Sequence, residues 1–265
     1  GAYDLHRCLR HQPATNPPYY DWAYELITAT GNSGSHGPVN FYRGLRTPAE
    51  ITRTVSQAFL GIRMNCAQCH HHPFEIWGQA DFYGLAGYFT GIQRTALGDS
   101  REFIFHAGHQ PTQIPVKNIP VITRPPGGPD LPLDLDADPR SHLADWITSS
   151  DNPFFSRLIA NRIWKQLMGR GLVEPEDDLR STNPASNPPL LDELAAELVK
   201  QDFNAKALMR TILLSGVFQT SSKGNADNYG DTQNFEERSK AIMRKHLEAL
   251  PLWLEHAHEG LLARG

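Results

Sequence analysis

Helix-start signals recur along this chain and constrain its fold more than any other feature. Thr47-Pro48-Ala49-Glu50 combines a capping threonine, a proline at the first helical position and the glutamate of a capping box. Asn152-Pro153, Asn187-Pro188 and Asn204 precede segments in which apolar residues recur at helical spacing. The sequence therefore predicts a mainly α-helical fold, with helices at residues 20–29, 47–63, 82–89, 140–148, 153–168, 187–198 and 204–213, and a final helical segment from 235 onward.

A different pattern lies between the two groups of helices. Phe103-Ile104-Phe105 and residues 114–122 are rich in β-branched and aromatic residues, which predicts two or three short strands. Residues 124–139 are proline-rich and form the best linker candidate. We therefore expect a helical region carrying the cysteine motif at 1–95, a β and proline-rich insertion at 96–138, and a helical second domain at 139–265.

Size and charge exclude several classes of protein. A chain of 265 residues buries enough surface to fold without a metal or a disulfide. It has 25 Lys and Arg against 29 Asp and Glu and no basic stripe, which argues against a nucleic-acid partner. No apolar run approaches the roughly 18 residues of a membrane span. We expect no nucleic-acid partner and no membrane span.

The strongest chemical signal is the run Cys66-Ala67-Gln68-Cys69-His70. This spacing is the attachment signature of c-type haem. Two thiols one helical turn apart can each form a thioether to a haem vinyl group, and the adjacent histidine then lies under the iron. The leading prediction is haem c on Cys66 and Cys69, with His70 as the proximal iron ligand.

A distal iron ligand would have to come from another part of the chain. His71 and His72 are too close to His70 to cross easily to the other face of the macrocycle, although His72 stays a candidate for an alternative ligand. The distant candidates are His106, His109 and Met168. Without any of them, the iron would be five-coordinate and open to small molecules.

Other chemistries fit the same cysteines. Cys66, Cys69 and one or two of the following histidines could bind structural Zn²⁺, although no second Cys-x-x-Cys completes a zinc finger. The pair could form a redox disulfide, but the βαβ context of such motifs is missing. The cysteines could also be inert core residues. Three cysteines, at positions 8, 66 and 69, cannot build a disulfide framework.

Two further clusters invite a functional interpretation. Four carboxylates follow the helix predicted at 153–168, at Glu174, Glu176, Asp177 and Asp178. They could bind Ca²⁺ or serve acid–base chemistry, but a solvated turn is the favoured interpretation. Arg157 and Asn161 share a helix face that could bind an anion or a sugar, although pairing with Asp177 or Asp178 is favoured.

Two longer segments of the sequence resemble known protein families. Residues 54–89, "TVSQAFLGIRMNCAQCHHHPFEIWGQADFYGLAGYF", resemble one of a pair of uncharacterised domains common in large secreted planctomycete proteins, often beside a cytochrome-c-like module. Residues 144–222 resemble the partner domain through "ADWITSSDNPFFSRLIANRIWKQLMGRGLVEPEDDL" and "PPLLDELAAELVKQDFNAKALMRTILLSGVFQTSS". The chain is expected to begin inside the first domain, and its sequence diverges from the second after about residue 235.

The resemblance implies an exported protein with a periplasmic or cell-surface location. It supports a haem-ligand role for Cys66, Cys69 and His70, and it implies a redox partner protein or other domains of a longer parent chain as partners. It supplies no reaction, so the sequence assigns no enzyme class. The predicted function is an exported c-type haem protein for electron transfer or redox support of a partner. The alternative is a zinc-stabilised extracellular binding or scaffold module without redox activity.

Overall fold

The computed structural model describes residues 5, 16–71, 75–115, 117–128, 130 and 138–219. This part of the chain is mainly helical, with two small antiparallel sheets. None of its helices has the length and apolar character that a membrane span requires. The helices are α1 (Tyr19–Thr28), α2 (Pro48–Val55), α3 (Gln79–Ala86), α4 (Arg140–Thr148), α5 (Phe155–Met168), α6 (Pro188–Lys200) and α7 (Ala205–Leu213). Outside the described residues lie Cys8, His256, His258 and the helical segment predicted from residue 235.

The predicted caps form the helix starts. Thr47 Oγ1 accepts a hydrogen bond from the Glu50 amide at 3.2 Å, and the Glu50 carboxylate accepts one from the Thr47 amide at 2.8 Å, which completes the capping box of α2. The side chains of Asn187 and Asn204 accept bonds from backbone amides in the first turns of α6 and α7. Asn152 Oδ1 accepts bonds from two successive amides at 2.9 and 3.0 Å, so that α5 starts two residues later than predicted.

One predicted helix ends earlier than its apolar spacing indicated. The segment predicted at 47–63 is α-helical only to Val55, and a π-helical turn, Ser56–Leu60, follows. Gly61 ends the turn with φ of 67°, in the left-handed region. A β-carbon at Gly61 would also lie 2.9 Å from Leu179 Cγ, so both conformation and close packing require glycine there. The chain then turns away from the helix axis into the cysteine motif.

The β structure is more extensive than predicted. A three-stranded antiparallel sheet has the order β1 (Gly31–Asn32), β3 (Arg101–His106) and β2 (Ile92–Gly98). The second sheet pairs β4 (Thr112–Ile114) with β5 (Ile119–Val121), so that the strand predicted at 114–122 is part of a hairpin. Neither β1 nor β2 was among the strands predicted from the sequence. Both strands form by pairing with β3, and a local sequence pattern does not show such a long-range pairing.

Both helical regions pack into one continuous hydrophobic core. Helix α1 packs on α4, and α5 packs on α6 and α7. The Phe155 ring of α5 contacts the ring of Tyr19 in α1 at a centroid distance of 6.0 Å and that of Phe203 at 5.5 Å. The cysteine-bearing region is therefore held against the second helical region by buried aromatic contacts.

A buried arginine joins the same two regions. The Arg140 side chain is 0% exposed at the start of α4. Its Nε and Nη2 donate to the two oxygens of Asp138 at 3.0 and 2.6 Å, and its Nη1 donates to the Ala29 carbonyl at 3.1 Å. Its guanidinium carbon lies 5.2 Å from the centroid of the Tyr42 ring. The charge of Arg140 is thus paired inside the core rather than in water.

Candidate functional site

The cysteine motif forms a compact turn. A short 3₁₀ helix, Cys66–Gln68, begins the motif, and the amides of Cys69 and His70 both donate to the Cys66 carbonyl, at 3.2 and 3.1 Å. Cys66 is half-buried, Cys69 is exposed, and both thiols are free. One turn of the chain therefore presents both thiols and the histidine together.

The side chain of His70 is oriented by its neighbour. Its Nδ1 lies 2.6 Å from the carbonyl oxygen of His71. Because a carbonyl only accepts, this bond requires the proton on Nδ1 and leaves Nε2 as the acceptor. A histidine that ligates a metal uses the same arrangement, in which the second ring nitrogen donates to a carbonyl or carboxylate.

Two helices hold the motif turn in place. Arg53 of α2 donates from Nη1 to Gln68 Oε1 at 2.6 Å, and Gln79 of α3 donates to the Gln68 carbonyl at 3.4 Å. The His71 ring lies over Gly78, where a β-carbon would come within 2.6 Å of His71 Nδ1. The turn is therefore fixed on both sides by elements of the first helical region.

Cys66 lines a cleft of about 810 Å³. Aromatic side chains from both helical regions line it as well: Trp77, Trp146 and Phe154. The rings of Trp77 and Phe154 are 6.2 Å apart in a T-shaped contact. Charged side chains of both signs also line the cleft: Arg63, Glu75, Asp151, Arg157, Asp178 and Arg180.

The far wall of the cleft is attached to both flanks of the motif. The Leu179 amide donates to the Gly61 carbonyl at 2.9 Å, just before the cysteines. The Ser181 amide donates to Glu75 Oε1 at 2.6 Å, just after them. Segment 179–181 of the second helical region therefore lies alongside the motif. Residues of both regions form the cleft.

The carboxylate run at 174–178 does not form the freely solvated turn that the sequence predicted. Its members are ion-paired: Lys165 contacts Glu174 at 3.0 Å and also Glu176, and Arg63 contacts Asp177 at 2.5 Å. Asp178 is 3% exposed, with the guanidinium groups of Arg63 and Arg180 beside it. Because Arg63 belongs to the first helical region, its contacts with Asp177 and Asp178 tie the second helical region to the first.

Arg157 of α5 forms a different ion pair from the one predicted. Arg157 Nη2 lies 3.0 Å from Asp192 Oδ1 on α6, and not beside Asp177 or Asp178. Asn161 is fully buried and bonds to the backbone of Val173 in both directions, at 2.9 and 3.0 Å. Asn161 is therefore a structural residue, and Arg157 alone of the two lines the cleft.

The distal candidates lie apart from the lining of this cleft. His106 accepts a bond at Nδ1 from the Gly108 amide at 3.3 Å, and burial lowers its pKa. His109 Nε2 lies 3.4 Å from Thr123 Oγ1, and Met168, the last residue of α5, packs partly buried against the core. None of these three is among the described residues that line the cleft. His72 lies outside the described residues, so all four distal assignments stay predictions.

Preformed metal sites are absent from the described ranges. Within them, no group of three or more His, Cys, Asp or Glu side chains is arranged to hold a metal ion. The zinc alternative would need His72, or a rearrangement of the exposed His70 and His71.

The aromatic lining of the cleft was not predicted from the sequence. Neither Trp77 nor Trp146 was among the candidate site residues. The one local signal was the position of Trp77, eight residues after Cys69. Proximity in the chain does not show that Trp77 and Trp146, which are 69 positions apart, share a cleft.

The Asp177 carboxylate is expected to make the stability of the fold sensitive to acid. Burial raises its pKa, but the hydrogen bonds from Arg63 and Gln57 lower it by more, so its pKa lies below the ordinary value. The stability that it contributes is fully present above its unfolded pKa of about 3.9 and is lost as pH falls through the folded pKa. We expect Asp177→Asn to reduce the free energy of unfolding by about 1–3 kcal/mol near pH 7 and by less in acid.

Urea unfolding near pH 7 and in acid measures this change in the free energy of unfolding. Asp192→Asn is the matched control, because Asp192 is 60% exposed in its ion pair and should contribute little. Parallel stability profiles for Asp177→Asn and the wild type would contradict the prediction.

Comparison with known families agrees with the resemblance seen in the sequence. The family model PSCyt2, described as a protein of unknown function (DUF1549), matches residues 9–94. The family model PSD1, also described as a protein of unknown function (DUF1553), matches residues 139–251. Neither the curated proteins nor the solved structures contain a match. Two stretches of this chain therefore resemble the paired PSCyt2 and PSD1 families, with the cysteine motif in the first match and the far wall of the cleft in the second.

Proposed function

We propose that this chain is a c-type haem module, with haem attached to Cys66 and Cys69 and with His70 as the proximal iron ligand. Its function is electron transfer or redox support of a partner. The observation that carries the proposal is the motif turn, which presents two free thiols and a histidine with an available Nε2, and whose Cys66 lines a large aromatic cleft. The name PSCyt2 associates the first family with cytochrome c proteins and supports the same proposal.

The donor set of the motif turn fits a haem group, and of its three members Cys66 lines the cleft. Nitrogen and sulfur donors are the ligands and attachment points that c-type haem uses. The cleft beside Cys66, at about 810 Å³, falls within the range of about 300–1,000 Å³ for small-molecule and cofactor sites. Its tryptophans offer flat apolar surfaces of the kind that cover a macrocycle.

The stoichiometry of attachment would involve only the two thiols and the two haem vinyl groups. Each cysteine S–H adds across a vinyl C=C, so that a carbon–sulfur bond forms and the hydrogen goes to the neighbouring vinyl carbon. No oxidant is consumed and no group leaves. When bound, haem supplies one-electron transfer.

The protein's own residues set the properties of the proximal ligand. The His71 carbonyl holds the proton of His70 on Nδ1, which leaves Nε2 available as a ligand. Arg53 and Gln79 fix the turn through Gln68, so that the histidine is supported by two helices. The described lining of the cleft contains neither histidine nor methionine, so the proposal assigns no distal ligand from it.

The proposal extends to location and partners. The resemblance to secreted planctomycete proteins supports a periplasmic or cell-surface location, which covalent haem attachment also requires. The paired domains are consistent with a longer multidomain protein. A redox partner protein, or another domain of the same parent chain, would receive or supply the electrons.

Covalent haem is directly testable by colour. We expect the chain, produced with the haem-ligation machinery, to carry one haem whose visible absorption stays with the polypeptide after denaturation. Cys66→Ser together with Cys69→Ser should abolish the band. Cys8→Ser is the matched control because this third cysteine lies outside the motif, and it should leave the band unchanged.

The same experiment tests the alternative. A zinc-stabilised scaffold would be colourless under all these conditions and would lose its metal and part of its stability to a chelator. A colourless wild-type chain with stoichiometric, chelator-sensitive zinc would replace the haem proposal with that function.

A further inference from the structure

The cleft carries balanced charge around its aromatic lining. Among the described residues, three carboxylates and three guanidinium groups line it: Glu75, Asp151, Asp178, Arg63, Arg157 and Arg180. An anion would meet the carboxylates, a cation would meet the guanidinium groups, and an apolar ligand would remove water from both without supplying hydrogen bonds. The lining therefore suits a neutral ligand that both donates and accepts hydrogen bonds.

Three of these charged groups are already engaged within the protein. The Asp178 side chain is 5% exposed, and its oxygens lie 3.9 Å from Arg63 Nη1 and 3.5 Å from Arg180 Nε. Arg63 also contacts Asp177 at 2.5 Å. A ligand could recruit these groups only by leaving a buried carboxylate poorly paired. Its partners must therefore come from the other three charged side chains.

Those three side chains have hydrogen-bonding atoms that the described residues do not use. Glu75 Oε1 accepts from the Ser181 amide at 2.6 Å, which orients the carboxylate, and Oε2 accepts no bond from the described part of the chain. Asp151 is exposed, and no described residue donates to its carboxylate. Arg157 contacts Asp192 through Nη2, and its Nη1 has no partner within the described ranges. The cleft thus offers two acceptors and one donor.

A glycine turn connects the two indole rings of the cleft. A β-carbon at Gly127 would lie 3.5 Å from Trp77 Cη2, and one at Gly128 would lie 2.9 Å from Trp146 Nε1. Glycine at position 128 therefore lets Trp146 pack closely against the backbone of the turn. Trp77 is 7% exposed and Trp146 is half-buried, so Trp146 presents the more accessible ring. A flat ring held at its edge is a preorganised surface for a ligand with an apolar face.

We propose that this cleft binds a neutral saccharide, whose apolar C–H face packs on Trp146 and whose hydroxyl groups bond to Asp151 and Arg157. Glu75 accepts a further hydroxyl from the opposite wall. A hydroxyl both donates and accepts, so one sugar can satisfy carboxylates and a guanidinium together. Of the three donors in the cysteine motif only Cys66 lines the cleft, so a haem on the motif would border this site at Cys66.

Calorimetric titration of the full chain, produced with the haem-ligation machinery, tests the saccharide site. The probes are cellohexaose, xylohexaose, laminarihexaose and maltohexaose, which are neutral and differ in linkage and in ring substituents. We expect at least one to bind with a dissociation constant below about 1 mM and to change tryptophan fluorescence. Trp146→Ala should weaken that binding about tenfold, Trp146→Phe should retain part of the affinity, and Asp151→Ala should weaken it about fivefold.

Two matched controls lie outside the cleft lining. Asp145→Ala removes an exposed carboxylate next to Trp146, and Tyr24→Ala removes an aromatic ring of a residue that is 36% exposed. Both variants should keep the wild-type affinity. Because Asp151 is exposed, Asp151→Ala should keep wild-type thermal unfolding, and it tests the site even if Trp146→Ala does not fold.

Three results would overturn the saccharide site. They are the absence of binding by all four probes, wild-type affinity in Asp151→Ala, and binding of the zwitterion Gly-Gly in place of any saccharide. Visible colour reports haem in the same preparation, so the two proposals fail separately. A coloured chain that binds no saccharide keeps the haem function and loses the saccharide site. A colourless chain that binds one keeps the saccharide site and overturns covalent haem.

Discussion

His70→Ala is expected to keep covalent haem and to lose its normal spectrum. The two thioethers to Cys66 and Cys69 do not depend on the imidazole, so the haem should remain with the chain after denaturation. Without its proximal nitrogen, the iron should shift to a weak-ligand or high-spin form. Visible absorption of the oxidised and reduced protein measures the change, which should be a shift of the main bands with little loss of total haem.

His71→Ala is the matched control for this experiment. The His71 carbonyl that accepts from His70 Nδ1 belongs to the backbone, so alanine preserves the bond and should preserve the spectrum. In the zinc alternative, by contrast, both variants would lower metal affinity and neither would be coloured. A colourless His70→Ala protein from a colourless parent, both made with the ligation machinery present, would end the haem proposal.

Asp138→Asn is expected to cause the largest loss of stability, about 3 kcal/mol in the free energy of unfolding. The Arg140 side chain is fully buried, and Asp138 supplies the opposite charge through hydrogen bonds to Nε and Nη2. Removing that charge leaves a buried guanidinium with only neutral partners in the Ala29 carbonyl and the Tyr42 ring. The midpoint of urea unfolding should fall with an unchanged slope.

Two further variants make the result interpretable. Asp99→Asn removes the partner of an exposed arginine and should change stability by less than about 0.5 kcal/mol. Arg140→Met combined with Asp138→Asn removes the buried charge itself and should recover part of the loss. An Asp138→Asn midpoint equal to that of the wild type would refute the prediction.

Much of the fold was predictable because helix starts are local events. The capping box at Thr47 and Glu50 lies within four residues, and the structure forms it as predicted. The helix predicted at 140–148 has the same bounds as α4, and α1 differs from its predicted bounds by one residue at each end. Apolar spacing and capping side chains act within one or two turns, so the sequence contains all the required information.

Helix ends and strands were predicted less well because distant contacts decide them. The end of α2 at Val55 and the left-handed Gly61 accommodate Leu179, which is more than a hundred positions away. Strand β2 is defined by its antiparallel register with β3. Apolar periodicity in the segment 47–63 continues past the true helix end, because residues of the π-turn, such as Phe59, also enter the core.

The sequence by itself determined the chemistry-bearing residues: the spacing of Cys66, Cys69 and His70 follows from covalent order alone, as do the capped helices on either side. Only the tertiary structure decided what surrounds them. Trp77 and Trp146 meet at one cleft, and Arg157 pairs with exposed Asp192 rather than with Asp177, because the two helical regions pack into a single core. Such contacts depend on how whole elements are placed relative to one another. The burial of apolar surface drives this placement, and no local sequence pattern encodes it.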